Sequence, residues 1–243
     1  MSHHTITCKN CENQFSGHFC NNCGQRANIH RINLKYLLHE FFHAFTHLDK
    51  GILYTAKTML VAPGETIRDY LNGKRVRHSN PFLMLLIIGG LCSLTYYNFE
   101  LKLVSSFKIT DLDAGLHVVD SKFFAILYIL YSLLFAFCDY IIFHYKGYNF
   151  TEYFTMNVFI ATEVLLVLLA LVPLWLIGGH YDLNKYFRLI VGLSFMSYMI
   201  FVRYQFFEVK NNVKAGIRMI IESLVLVLLF FVISWRTLSD FFH

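Results

Sequence analysis

After Pro81 the chain runs through five apolar stretches, near Pro81–Phe99, Phe123–Phe143, Val158–Gly178, Phe187–Phe207 and Ile217–Trp235. Each has about 17–25 residues, the length at which a helix crosses a hydrocarbon core of ~30 Å. Only 15% of the 243 residues are charged and 56% are hydrophobic, against roughly a quarter charged in soluble domains. These features argue against an ordinary water-soluble globule. They predict an all-α polytopic membrane protein of five transmembrane helices, with a polar N-terminal third in front of them.

Residues 1–80 hold ten Lys and Arg and five Asp and Glu, so the whole net charge of +5 belongs to them, while residues 81–243 sum to zero. The first long apolar run follows a cysteine-rich polar head rather than a short basic region, so no signal peptide is expected. Gly73-Lys74-Arg75-Val76-Arg77-His78 stands directly before the first span, and bases flanking a first helix hold that side in the cytoplasm. Threading five spans from there places the head inside and His243 outside. The loop with Asp111, Asp113 and Asp120 also falls outside, although Lys102, Lys108, Lys122 and Lys185 on that side weaken the bias.

The head carries Cys8, Cys11, Cys20 and Cys23 in the pattern C-x2-C-x8-C-x2-C. Two such pairs on facing turns supply four thiolates to one tetrahedral Zn2+, a closed structural site with no open coordination position for catalysis. The eight-residue spacer is shorter than the usual one of about 15–20 residues and leaves room for a minimal hairpin. The alternative is two disulfides, which a reducing cytosol disfavours. Cys92 and Cys138, inside spans, read as ordinary apolar core residues.

From Leu34 to Leu48 the apolar residues Leu34, Leu37, Leu38, Phe41, Phe42, Phe45 and Leu48 form one stripe at helical spacing, with His39, His43 and His47 on the other face. A second short helix is expected from Pro63 to Leu71, closed by Gly73. The expected organisation is a zinc ribbon over 1–30, amphipathic juxtamembrane helices over 31–80, and a five-helix transmembrane bundle over 81–243.

Phe19-Cys20-Asn21-Asn22-Cys23-Gly24-Gln25, Asp49-Lys50-Gly51, Thr58, Pro63-Gly64, Tyr70-Leu71, Gly73-Lys74-Arg75 and Pro81-Phe82 resemble an uncharacterised bacterial membrane family known as domain of unknown function 3667. The resemblance covers residues 8–82 and reaches the rest only by hydropathy. It implies a bacterial inner (cytoplasmic) membrane protein with a zinc-ribbon head, and it brings no activity or catalytic residues with it.

Three further patterns bear on function. His39-Glu40-Phe41-Phe42-His43 matches H-E-x-x-H, the zincin pattern of two metal-binding histidines and a general base. His47 continues that face, but His39 to His47 spans about 12 Å on a straight helix, too far for one ion. Asp139, Glu163, Arg203 and Glu222 lie inside four different spans at one depth, about 6–8 Å from the inner surface. Such residues are costly there, and their common depth predicts a layer in which Arg203 pairs with Glu163 or Glu222. Lys74, Arg75, Arg77 and His78, with Lys210, Lys214 and Arg218, make a basic rim suited to topology or to anionic head groups and phosphate.

The head offers only Lys9, Arg26 and Arg31 to nucleic acid, which makes that partner unattractive, and phosphate-loop, dinucleotide and serine-nucleophile motifs are absent. The leading expectation is therefore a membrane protein whose zinc ribbon and amphipathic collar bind a protein partner, with the bilayer around it and no chemistry of its own. Transport or handling of a small ion or lipid through the polar layer comes second, and a metallohydrolase using His39 and His43 third.

Overall fold

The computed structural model describes residues 5–37, 51–107, 124–178, 196–208, 216–218 and 221. The head holds a two-stranded antiparallel ribbon, β1 (Ile6–Thr7) and β2 (Gln14–Phe15), with Ile6 opposite Phe15 and Thr7 opposite Gln14. Five helices follow: α1 (Ile52–Val61), α2 (Pro63–Asn72), α3 (Pro81–Phe107), α4 (Phe124–Phe143) and α5 (Phe150–Gly178). A single 3-10 turn, His144–Lys146, follows α4, and a further helical stretch occupies 196–206.

α5 is the centre of the body and packs against both α3 and α4, which also touch each other. Its apolar window Phe150–Pro173 is 56% buried against 28% for Tyr128–Lys146, the two segments among the described residues long and apolar enough to cross a membrane. Phe159, Leu165, Met84, Leu85 and Phe135 fill the space between them. Close approach of α3 and α4 depends on small residues: a Cβ on Gly89 would lie 2.9 Å from the Cβ of Ala125.

Helix ends follow local chemistry. Asn149 and Glu152 form a capping box at the start of α5: the Glu152 N–H donates to Asn149 Oδ1 and the Asn149 N–H to Glu152 Oε2, both at 2.8 Å. Asn80 caps α3, its Oδ1 accepting the Phe82 N–H at 2.9 Å. α2 begins at Pro63 and ends at Gly73, whose φ of 103° lies in the left-handed region.

Hydropathy and structure differ in three places. α3 runs to Phe107, eight residues past the stretch expected to end at Phe99. α5 starts at Phe150, eight residues before the apolar stretch expected from Val158, because the capping box and the buried side chains of Tyr153 and Met156 extend the helix through polar sequence. α1 falls within the expected juxtamembrane helices without a range of its own there, although Gly51 and Pro63 bracket a mostly apolar segment broken by Thr55, Lys57 and Thr58. The helix expected from Leu34 to Leu48 is described only over its first turn, 34–37. His39, Glu40, His43 and His47 lie outside the described residues.

Candidate functional site

The ribbon sets two cysteine turns side by side. In each, the first cysteine's carbonyl accepts an N–H from four residues on, Glu12 to Cys8 at 2.9 Å and Gly24 to Cys20 at 2.8 Å. Glu12 and Gly24 both take left-handed backbone, φ 61° and 75°, so the two turns repeat one geometry. The sulfurs converge as a result: Cys8 to Cys23 is 3.5 Å, Cys11 to Cys20 is 3.6 Å, and all four lie within 4.8 Å of one another. A tetrahedral ion with sulfur bonds of about 2.3 Å separates its sulfurs by about 3.8 Å. The four side chains therefore fit one metal ion, and their separations are far longer than a disulfide's ~2.05 Å.

The thiols differ in acidity. Burial raises Cys20, but the N–H groups of Cys23 and Asn22, with the Cys11 and Cys8 side chains, more than offset it and bring the pKa down to about 6. Burial pushes Cys23 up to about 11 against the lowering effect of the Gln25 N–H, and the other three sulfurs add to the rise. One thiolate forms readily and suppresses the next, so a bound cation is what allows all four to deprotonate together.

The head is joined to the helical body through named contacts. Gln25 Nε2 donates to the Gly73 carbonyl. Arg31 grips Glu152 with two bonds, Nε to Oε1 at 2.7 Å and Nη2 to Oε2 at 2.6 Å, and also donates to the Gly147 carbonyl at 2.6 Å. Glu152 thereby serves the α5 cap and the head at once, and Asn149 adds a bond to the Ile32 carbonyl at 2.9 Å.

Of the basic residues singled out before α3, Arg75 is committed to structure. Its Nε donates to the Tyr70 carbonyl at 3.1 Å, and its guanidinium lies 4.8 Å from the ring centre of Tyr36 and 5.3 Å from that of Tyr70. Lys74 pairs with Asp69 at 2.9 Å, which raises its pKa. Lys74, Arg77 and His78 border a cleft of about 580 Å³ between the head and the body, with Cys11 and Cys23 on its other side. Burial lowers the His78 pKa, so this ring is neutral near pH 7 and adds no charge to the rim. Arg218 stacks on Tyr145 at 4.7 Å, while Lys210 and Lys214 lie outside the described residues.

The expected polar layer is partly assembled. Arg203 and Asp139 are fully buried and meet directly, Nε to Oδ1 at 3.1 Å and Nη2 to Oδ2 at 3.2 Å. Asn157 closes the group, accepting from Arg203 Nη2 at 3.1 Å and donating to Asp139 Oδ2 at 2.5 Å. The expected partner was Glu163 or Glu222. Glu222 lies outside the described residues, and Glu163 is not the residue that α5 offers. Six positions beyond Asn157, it stands about 9 Å further along the helix and about 120° around it. The offset along the axis arises because α5 starts at Phe150 rather than Val158, which puts Glu163 deeper than the expected common layer, and depth carries no information about the rotation. The Glu163 carboxyl is buried, and neither oxygen has a hydrogen-bond partner among the described residues.

Among the described residues these features are those of a mostly helical protein, with two helices long and apolar enough to cross a membrane and a cysteine cluster able to hold a metal ion. Within it, residues 49–92 match the model of a family described as Protein of unknown function (DUF3667). No curated protein matches the chain, and neither does any solved structure.

The match begins after the cysteine head and covers α1, α2 and the first half of α3. Two of its glycines, Gly51 and Gly64, are points of close backbone approach. A Cβ on Gly51 would lie 2.8 Å from the Arg77 carbonyl oxygen, and one on Gly64 would lie 2.4 Å from Phe206 N and from Gln205 Cβ. Tyr70, Leu71 and Phe82 are buried, so the matched segment is built to pack against the rest of the body.

Proposed function

We propose that this is a bacterial inner-membrane protein of five spanning helices whose cytoplasmic zinc ribbon and collar serve as an interaction or assembly module, with the C-terminus in the periplasm and no reaction of its own. The observation that carries the reading is the closed head: four sulfurs within 4.8 Å fill a tetrahedral shell and leave no position for a substrate. Zinc suits an all-thiolate tetrahedral set better than hard cations do. The basic sequence Lys74–Arg77 supports a cytoplasmic head. Outward apolar side chains on the helices, Leu91, Leu94, Ile126, Leu130 and Ile141, suit contact with lipid tails.

Phe19, 57% exposed on the head, is a candidate partner contact. With a photo-crosslinking amino acid in place of Phe19, cells should yield one defined adduct with a protein, lost when Cys20 and Cys23 are changed to Ser. An unmodified chain, or the same mixture of adducts from a probe at Lys57, would contradict the interaction reading.

Handling of a small ion or lipid is the second reading, favoured by the buried carboxyl of Glu163 with no partner among the described residues.

A further inference from the structure

The cleft between the cysteine head and the start of α3 carries polar groups on both walls that no other described residue uses. Its volume of about 580 Å³ falls within the ~300–1,000 Å³ of small-molecule sites. Lys74 and Arg77 border it on the body side, and Asn10 and Asn22, which precede Cys11 and Cys23, on the head side. Lys74 is held by Asp69 at 2.9 Å. Arg77 makes no side-chain hydrogen bond or ion pair among the described residues, and neither do the side-chain amides of Asn10 and Asn22. Arg75 is different, since the Tyr70 carbonyl and the rings of Tyr36 and Tyr70 already occupy its guanidinium.

The wall that carries Arg77 is fixed before any ligand arrives. Gly51 at the start of α1 lies so close that a Cβ there would be 2.8 Å from the Arg77 carbonyl oxygen, and the Ser79 N–H donates to Thr55 Oγ1 at 2.8 Å. Between them the His78 ring lies against those of Tyr54 and Tyr70, with centroids 5.3 Å and 6.5 Å away. The facing wall is held to the body by Gln25, which donates to the Gly73 carbonyl, and by Lys9, which donates to the Ile29 carbonyl at 3.5 Å. Fixed walls with uncommitted donors lower the cost of ordering a ligand.

The charges of the two walls select its chemistry. Lys74 and Arg77 against Asp69 leave the body side with one net positive charge. On the head side, a divalent ion held by four thiolates carries a net charge of about −2, and Cys11 and Cys23 bring that charge to the cleft. A polyphosphate or a doubly charged phosphate monoester meets repulsion there. A singly charged phosphodiester set on Arg77 and Lys74, with an ammonium turned toward the sulfurs, satisfies both walls. Asn10 and Asn22 add neutral donors and acceptors.

We propose that this cleft binds the phosphoethanolamine group of a phosphodiester, with Arg77 as the principal phosphate contact and Lys74 beside it. The ligand is zwitterionic, unlike the anionic head group that the basic run by itself suggests, and Arg75 takes no part. The inference goes beyond the protein-interaction reading and rests on the zinc reading only for the preference for an amine. Two sources share this chemistry. A phosphatidylethanolamine head group comes from the bilayer that α3 enters at Pro81, four residues past Arg77, and a glycerophosphodiester comes from water.

The test is native mass spectrometry of the full-length chain in detergent, which weighs bound zinc and bound ligand in the same ions. The probes are dioleoylphosphatidylethanolamine, glycerophosphoethanolamine and glycerol phosphate. One amine ester should bind per chain, more tightly than glycerol phosphate, and Arg77→Ala should weaken it about tenfold. Arg77→Lys, which keeps the charge, should retain part of the affinity, and Arg218→Ala, which removes a cation stacked on Tyr145, should retain all of it. Binding of the lipid alone supports the site with the membrane as its source, and equal binding of the soluble diester supports a head group recognised without its chains. A zinc-loaded chain that binds neither ester, or binds them equally well as Arg77→Ala, overturns the site and leaves the zinc reading standing. Glycerol phosphate bound as tightly as the amine esters overturns the amine assignment. A chain without zinc overturns the zinc reading and the amine preference with it, while the Arg77→Ala comparison still decides the phosphate site.

Discussion

Among the described residues, the head buries only Cys8, Phe15 and Cys20 as its core, whereas the body buries a continuous cluster running from Ile32 to Phe207. The contrast teaches that the two regions owe their folds to different sources. A ribbon of two-residue strands cannot offset its chain entropy by burial, and on the proposed reading four sulfurs around an ion supply what the core lacks. The body has side-chain packing of its own; its buried Arg203–Asp139 pair is offset by two bonds between the charges and by Asn157, while the buried Glu163 carboxyl has no hydrogen-bond partner among the described residues.

The largest expected effect separates these sources directly. Removing the metal with a chelator, or changing Cys20 and Cys23 to Ser, should unfold the head completely. Limited proteolysis should then cut within residues 5–30 while the helical circular dichroism stays nearly constant. Acid should act the same way, because protons displace a cation from thiolates as pH falls. Parallel loss of helical signal would show that the two regions share one folding unit.

Next comes the buried charge. Arg203→Leu leaves Asp139 unpaired and should cost about 3–5 kcal/mol, read as a lower melting temperature in detergent, and adding Asp139→Leu should recover part of it. An unchanged melting temperature in the single variant would mean that water or head groups reach this pair.

That pair also marks where sequence reasoning stopped. Cys8, Cys11, Cys20 and Cys23 were readable because their geometry is set within turns of four residues, and local spacing is visible in sequence. Arg203 and Asp139 were readable as members of a layer, since depth follows from counting along a span. Their pairing was not, because it depends on how helices are rotated about their axes, and hydropathy carries little of that. Asn157 was placed in a polar loop before the third apolar stretch. The Asn149-x-x-Glu152 capping signature would have extended the helix to include it. Arg75 was placed in a basic rim suited to topology or to anionic head groups and phosphate; its contacts with Tyr36 and Tyr70 were not readable, because those residues come from different elements and meet only in the fold.

A smaller effect tests the matched segment. Gly64→Ala pushes a methyl group into the backbone at 205–206 and should destabilise the body by about 1–3 kcal/mol. Gly90→Ala on α3 meets nothing within 4 Å and should leave melting unchanged or raise it slightly. Equal behaviour of the two would contradict the close packing of α2 on the 196–206 stretch.

The smallest effect concerns the joint. Arg31 is 58% exposed in its side chain and Glu152 only 4%, so the pair is half screened, and Arg31→Ala should cost roughly 1 kcal/mol or less. Faster proteolysis between head and body would report it, and 1 M salt should reproduce part of the effect in the unmodified protein. Loss of the metal in Arg31→Ala would contradict a head that folds on its ion alone.

The central claim, a head built by one ion on a body that does not need it, is tested most directly by counting zinc in the purified full-length protein by native mass spectrometry. The unmodified chain should carry one zinc, and the Cys20→Ser, Cys23→Ser variant none, with both remaining folded membrane-inserted chains. A variant that keeps its full zinc, or an unmodified chain that carries none, would contradict it.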